Sequence, residues 1–140
     1  MKIVNFALLA GVAGLLAACG GSSIVEPADL NDQRVFFAFN SAEISEEAQN
    51  NLLGQSLYMK NHEGTKIQIA GNCDERGSTE YNLALGARRA NAAKRVLVKD
   101  GIDAGRISTI SYGKERPLVK GTGEKVWKYN RNATTTVRKK

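Results

Sequence analysis

The sequence predicts an α/β fold, an α+β sandwich in which helices pack on a mixed four-stranded sheet in the order β-α-β-α-β-(α)-β. Three observations carry this. Ile67-Gln68-Ile69-Ala70 alternates like a strand and ends in a polar loop, Asn72 to Gly77. From Ser78 a helical repeat follows, with Tyr81, Leu85, Ala92, Ala93, Val96 and Leu97 at three- and four-residue steps. Further strand-like runs, Val35 to Phe39, Arg106 to Tyr112 and Thr134 to Val137, alternate with helical ones.

The first eighteen residues are not fold. Lys2 supplies a short positive region, and Ile3 to Leu16 is nearly all apolar yet too short to span a bilayer, as in a signal peptide. Leu16-Ala17-Ala18-Cys19 resembles a lipobox, in which Cys19 becomes the lipidated first residue of the mature protein. The alternative is an ordinary secretory signal cleaved near Ala18. Acyl chains add about 0.8 kcal/mol per buried CH₂, and several together anchor firmly. Gly20 replaces the Asp that favours inner-membrane retention in enterobacterial sorting, which points to the outer membrane with the domain in the periplasm. Residues 19–31 read as lipidated end and tether, because Gly20-Gly21-Ser22-Ser23 is flexible and Glu26-Pro27 discourages regular structure. The domain is expected over residues 32–140.

Within it, Val35-Phe36-Phe37-Ala38-Phe39 is apolar at successive positions, which predicts a central strand covered on both faces. Ser45 caps the next helix, with Glu46 and Glu47 in its first turn and Leu52, Leu53, Leu57 and Met59 as its apolar side. Gly54 inside that helix costs about 1 kcal/mol relative to Ala. Asn61 to Gly64 turns the chain, His62 being a solvated turn residue, and Lys66 to Ala70 is the second strand. The long helix has Ser78 as N-cap and Glu80 in its first turn, and it ends at Lys99-Asp100-Gly101, basic residue then glycine. Asp103-Ala104-Gly105 turns into the third strand, Arg106 to Tyr112. A short helix over Glu124 to Asn130 follows, with Trp127 as a packing anchor, and a Thr-rich last strand closes the chain.

Composition sets limits. At 140 residues, 42% hydrophobic and 24% charged, the chain is an ordinary single globular domain. Its net charge of +6 suits polyanions. No basic stripe is interleaved with aromatics, so nucleic acid is not an expected partner. With Cys19 lipidated, Cys73 is left without a disulfide partner. Asp74 and Glu75 beside it disfavour a thiolate, so it reads as packing filler. One His and no ligand-spaced cluster argue against a metal, and no cofactor is expected.

Two charges near the long helix could form a site. Asp74 lies in the strand-to-helix loop, and Arg89 lies on the helix. A carboxylate and a guanidinium held together suit a zwitterion, the first taking an ammonium and the second a carboxylate. Equally, such groups are often solvated, or pair for less than about 1 kcal/mol. Spacing alone does not bring them together.

Asp74-Glu75-Arg76-Gly77, Glu80-Tyr81-Asn82, the pattern Asn82-x-x-Leu85-Gly86-x-x-Arg89-Ala90, and Ser111-Tyr112-Gly113-Lys114-Glu115-Arg116-Pro117 are similar to the OmpA-like C-terminal domain family, and within it to the peptidoglycan-associated lipoproteins. The similarity runs from about Val35 to Ala133. It implies a non-enzymatic binding domain whose ligand is the meso-diaminopimelate of the peptidoglycan stem peptide. Asp74 would meet the ammonium and Arg89 the carboxylate. Leu85, Asn82 and the backbone at Gly71 and Asn72 would line the site. Asn40 stands where the family has an Asp that also reaches the ligand; it keeps hydrogen bonding without the charge. Asn130-Arg131-Asn132-Ala133 departs from the family's Asn-Arg-Arg-Ala. The resemblance further implies TolB and other Tol-system proteins as partners, with a role in envelope integrity and cell division. Two other readings stand beside it. An interaction lipoprotein with weak or lost wall binding is motivated by Asn40 and Asn132. A wall hydrolase lacks a nucleophile–base pair in the sequence.

Overall fold

The computed structural model describes residues 23–138. It contains β1 (Gln33–Phe36), α1 (Glu46–Asn61), β2 (Ile67–Asn72), α2 (Thr79–Lys99), a 3₁₀ turn (Ala104–Arg106), β3 (Ile107–Gly113), α3 (Glu124–Asn130) and β4 (Asn132–Val137). The four strands form one sheet in the order β1-β4-β2-β3. β2 and β3 are parallel through the α2 crossover, and β4 runs antiparallel to both β1 and β2. The expected α/β architecture is therefore present. Cys19 and the rest of the leader lie outside the described residues, as do Lys139 and Lys140.

β1 corrects one expectation. It is an edge strand, not a central one covered on both faces. Its pairing ends at Phe36, and the apolar run splits: Val35 and Phe37 are buried, whereas Phe36 and Phe39 are exposed. The continuous run reads as two-sided burial, but the helices cover only one face. Phe36 instead meets the ring of Tyr129 edge-on, centroids 6.4 Å apart.

The core lies between that one face and the two long helices. Val35, Ile67, Ile69, Ile107 and Ala133 point from the sheet into Leu52, Met59, Ala90, Ala93 and Leu97. Both helices open as their sequences dictate. Ser45 accepts from Ala48 N–H at 3.1 Å, and Ser78 from Tyr81 N–H at 3.1 Å. On α1 the buried side is not the expected one throughout. Leu57 is exposed, while Gln55 and Ser56 face inward. Gln55 is satisfied by Thr135 on β4, whose hydroxyl donates to it at 2.6 Å, so the Thr-rich strand buries a hydrogen bond where others bury a methyl group.

The packed unit reaches back into the segment read as tether. Leu30 is fully buried in the core, and Glu26 accepts from Asn61 on α1 at 3.0 Å. This accounts for Gly54. A Cβ there would overlap the carbonyl oxygen of Val25 and crowd Pro27. Gly54→Ala is thus expected to release residues 23–27 from α1, offsetting the gain of about 1 kcal/mol in helix propensity. Faster amide exchange at Asn61, with little change in midpoint, is the measurable sign. A plain rise in stability without it would refute this account.

The element that places the site is α2. It crosses β2 at two glycines, Gly71 and Gly86, whose backbones touch; a Cβ on either would strike the other's backbone. That approach draws the middle of α2 down to the end of β2. β2 itself runs two residues further than expected, through Gly71 and Asn72.

Candidate functional site

Three segments converge at the end of β2: the β1–α1 connection, the β2–α2 loop and the centre of α2. Between them lies a cavity of about 110 Å³, lined by Asn40, Asp74, Asn82, Leu85 and Arg89 together with Phe39, Cys73, Arg76, Gly77 and Tyr81. Five of the residues singled out in the sequence are thus brought to one place. Gly71 and Asn72 are not on its wall. Gly71 serves the helix crossing, and Asn72 acts through its carbonyl oxygen.

Arg89 is the most buried cation, 1% exposed. Its guanidinium bonds three backbone carbonyls: Ser41 through Nε at 2.8 Å, Asn72 through Nη1 at 2.9 Å and Ala38 through Nη2 at 3.1 Å. A planar five-donor group is the side chain able to do this while leaving N–H groups over on both terminal nitrogens. Burial pushes its pKa down from the ordinary value, and the charge of Arg131 adds to that. It nonetheless stays a cation at any ordinary pH. The sequence reading treated Arg89 only as a ligand fork. It is also the clasp that fixes the β1–α1 connection to the end of β2.

Asp74 is 4% exposed and occupied. Arg76 reaches back to it with a two-pronged bond, Nε to Oδ1 at 3.2 Å and Nη2 to Oδ2 at 2.8 Å, and its backbone N–H adds a third at 3.0 Å. Arg131 stands 3.6 Å from Oδ2 and is itself held by Glu124 and by the Phe37 carbonyl oxygen. Burial alone would raise the Asp74 carboxyl, but the bonds from Arg76 and the charges of Arg76 and Arg131 outweigh it and hold the group below the usual carboxylate range. Asp74 is therefore ionised throughout the neutral range.

Arg76 was not singled out by sequence reasoning. Its guanidinium lies between two rings, 3.8 Å from the centroid of Phe39 and 4.0 Å from that of Trp127. Trp127 is half-buried and is fixed from behind by Glu75, which accepts from its indole N–H at 3.0 Å and from Thr122 at 2.8 Å. The expected packing anchor packs on a cation at the cavity mouth. Nothing in one-dimensional spacing joins Phe39, Arg76 and Trp127, which come from three different segments.

The remaining residues complete the frame. Asn82 donates to the Arg76 and Ser78 carbonyls at 2.8 and 3.1 Å, shaping the loop. Cys73 is buried, its thiol directed at the Asn82 carbonyl at 3.3 Å, and burial pushes its pKa up against the pull of Arg89. Filler is its role. Asn40 sits at φ 57°, a left-handed conformation that Asn adopts more readily than most side chains. The pattern of the OmpA family matches residues 36–131, most of the chain.

The chain belongs to the OmpA family.

Among OmpA-family relatives, the peptidoglycan-associated lipoprotein of Mesorhizobium japonicum is 42% identical over 136 residues, spanning 97% of this chain and 80% of that one. Its counterpart in Pasteurella multocida is 39% identical, covering 94% and 96% respectively. The crystal structure of the peptidoglycan-associated lipoprotein from Burkholderia pseudomallei superposes with a TM-score of 0.74 at 39% identity, over 76% of this chain and 90% of that one. The C-terminal domain of Helicobacter pylori MotB, at TM-score 0.69 and 17% identity, over 80% and 88%, shares the OmpA-family fold.

Proposed function

We propose that this OmpA-family protein is a non-catalytic tether that grips peptidoglycan without a covalent bond. In this reading Cys19 carries the lipid that holds the outer membrane, the domain stands in the periplasm, and TolB and other Tol proteins are its partners. One observation supports it above the rest: a carboxylate, Asp74, and a guanidinium, Arg89, face the same small cavity. The cavity admits the end of an amino-acid side chain and little more. The zwitterionic end of meso-diaminopimelate is such a group. Its carboxylate would take the N–H groups that Arg89 has left over. Its ammonium would meet Asp74 in competition with Arg76. Asn40 and Asn82 offer amide groups beside them, and Leu85 packs on the methylene chain.

A stem peptide with lysine lacks the second carboxylate and leaves those N–H groups desolvated, a loss of about 1–3 kcal/mol. Calorimetric titration of residues 20–140 with the diaminopimelate tripeptide and with its lysine analogue is the test. We expect the first to bind at least tenfold more tightly. Equal affinities would overturn the assignment of Arg89.

The saturation of Asp74 by Arg76 favours one other reading, a partner-binding lipoprotein whose pocket is closed by its own chain. It predicts binding of neither tripeptide.

A further inference from the structure

The helices cover one face of the sheet, and the other is open. Along it lies a groove of about 360 Å³. Its floor is made of side chains that alternate outward from β2 and β4: Gln68, Asn72, Asn132, Thr134 and Thr136. One wall is the chain after β3, where Arg116 lies flat on the ring of Tyr112, 3.7 Å from its centroid. The other edge is Arg34 on β1.

We propose that this groove is a second binding site, for the sugar chain of an anionic polysaccharide. Three features converge on that class. First, the floor is amide and hydroxyl throughout, groups that exchange hydrogen bonds with sugar hydroxyls and N-acetyl groups in both directions. Second, flat apolar surface stands beside it. Tyr112 lies on the wall, and Phe36, which is 43% exposed, pairs with the equally exposed Tyr129. A sugar ring has an apolar face to set against such surfaces. Third, the charge is one-sided. The groove wall carries Arg34 and Arg116 and, among the described residues, no carboxylate. Lys66 and Arg138, both exposed, extend the same row by strand alternation. The nearest acid is Asp32, 3.5 Å from Arg34 and 71% exposed. A neutral sugar surface has no use for that row, whereas a chain bearing a carboxylate at each repeat is complementary to it.

The groove is also joined to the cavity on the other side of the sheet. Asn72 contributes its side chain to the groove and its carbonyl to Arg89. Asn132, the departure from the family motif, lies beside it: it accepts from Asn72 at 2.9 Å and donates to the Tyr129 carbonyl at 2.8 Å. A neutral amide here keeps the floor continuous. The occupant is accordingly the glycan strand of the wall whose stem peptide enters the cavity. This assignment of the polymer rests on the proposed function, but the groove's preference for an anionic sugar chain does not.

The experiment uses residues 20–140 and three probes: glycan strands stripped of stem peptides, which expose a lactyl carboxylate on each muramic acid; neutral N-acetylglucosamine oligomers of similar length; and the diaminopimelate tripeptide. The parent is expected to bind stripped glycan in a salt-dependent manner and the neutral oligomers at least tenfold more weakly. The double variant Arg34→Glu, Arg116→Glu should lose stripped-glycan binding by tenfold or more and keep its tripeptide affinity within twofold. Thr136→Asp, a floor substitution remote from both arginines in sequence, should weaken the glycan in the same direction. If the parent ignores stripped glycan, or if the folded variants bind it as the parent does, the groove is not a site. A parent that binds glycan and no tripeptide would instead overturn the cavity reading and leave the groove standing.

Discussion

Gly71→Ala is expected to destabilise the domain by about 3 kcal/mol or more, a large share of what a domain of this size has. The added methyl would sit inside the Gly86 carbonyl group, and that group belongs to the backbone of α2, which cannot rotate away. Relief requires lifting α2 off β2, which would unseat Arg89 and empty part of the core. Gly86→Ala should be similarly severe, because its Cβ would meet both the Ser111 hydroxyl and the Gly71 backbone. Gly64→Ala is the internal control. No atom lies within 4 Å of a Cβ there, so a neutral to slightly stabilising effect, up to about 1 kcal/mol, is expected. Urea midpoints of the three variants decide the matter. A Gly71→Ala protein with the parental midpoint would show that the helix crossing is looser than described.

Arg89→Ala should fail on two counts that must be measured separately. Three backbone carbonyls lose a charged donor at once, with an expected cost of about 3 kcal/mol or more. Wall binding should also vanish, but a loss in co-sedimentation alone would not distinguish a missing ligand contact from a loosened β1–α1 connection. Arg89→Lys sharpens the point. A single ammonium cannot bridge carbonyls on Ala38, Ser41 and Asn72 in one plane, so most of the stability loss should remain although the charge is kept. Full stability in Arg89→Lys would mean that charge, not the three-way geometry, does the holding.

That double duty marks where sequence reading stopped. The elements were largely legible, because Ser45, Ser78 and Gly101 are local signals and the amphipathic repeat of α2 is long. The edge position of β1 was not legible, since burial on one face and on two both permit a run such as Val35 to Phe39. In the same way, Leu57 looked like core by type, while the geometry gave its place to Gln55, whose partner Thr135 is far away in sequence. The family resemblance identified Asp74 and Arg89 as candidates, and the fold places both on one cavity. What no spacing conveys is which partners are already taken. Arg76 neutralising Asp74, and the three carbonyls on Arg89, are long-range or loop-specific contacts that exist only once the chain is folded.

Trp127 is the single tryptophan of the chain. Its ring lies against the cation that closes the cavity, and its indole N–H is tied to Glu75. The protein consequently contains its own optical reporter. Any event that draws Arg76 away from Asp74 also changes the charge and the wetting around that one ring, so emission intensity and wavelength follow the opening of the site without a label.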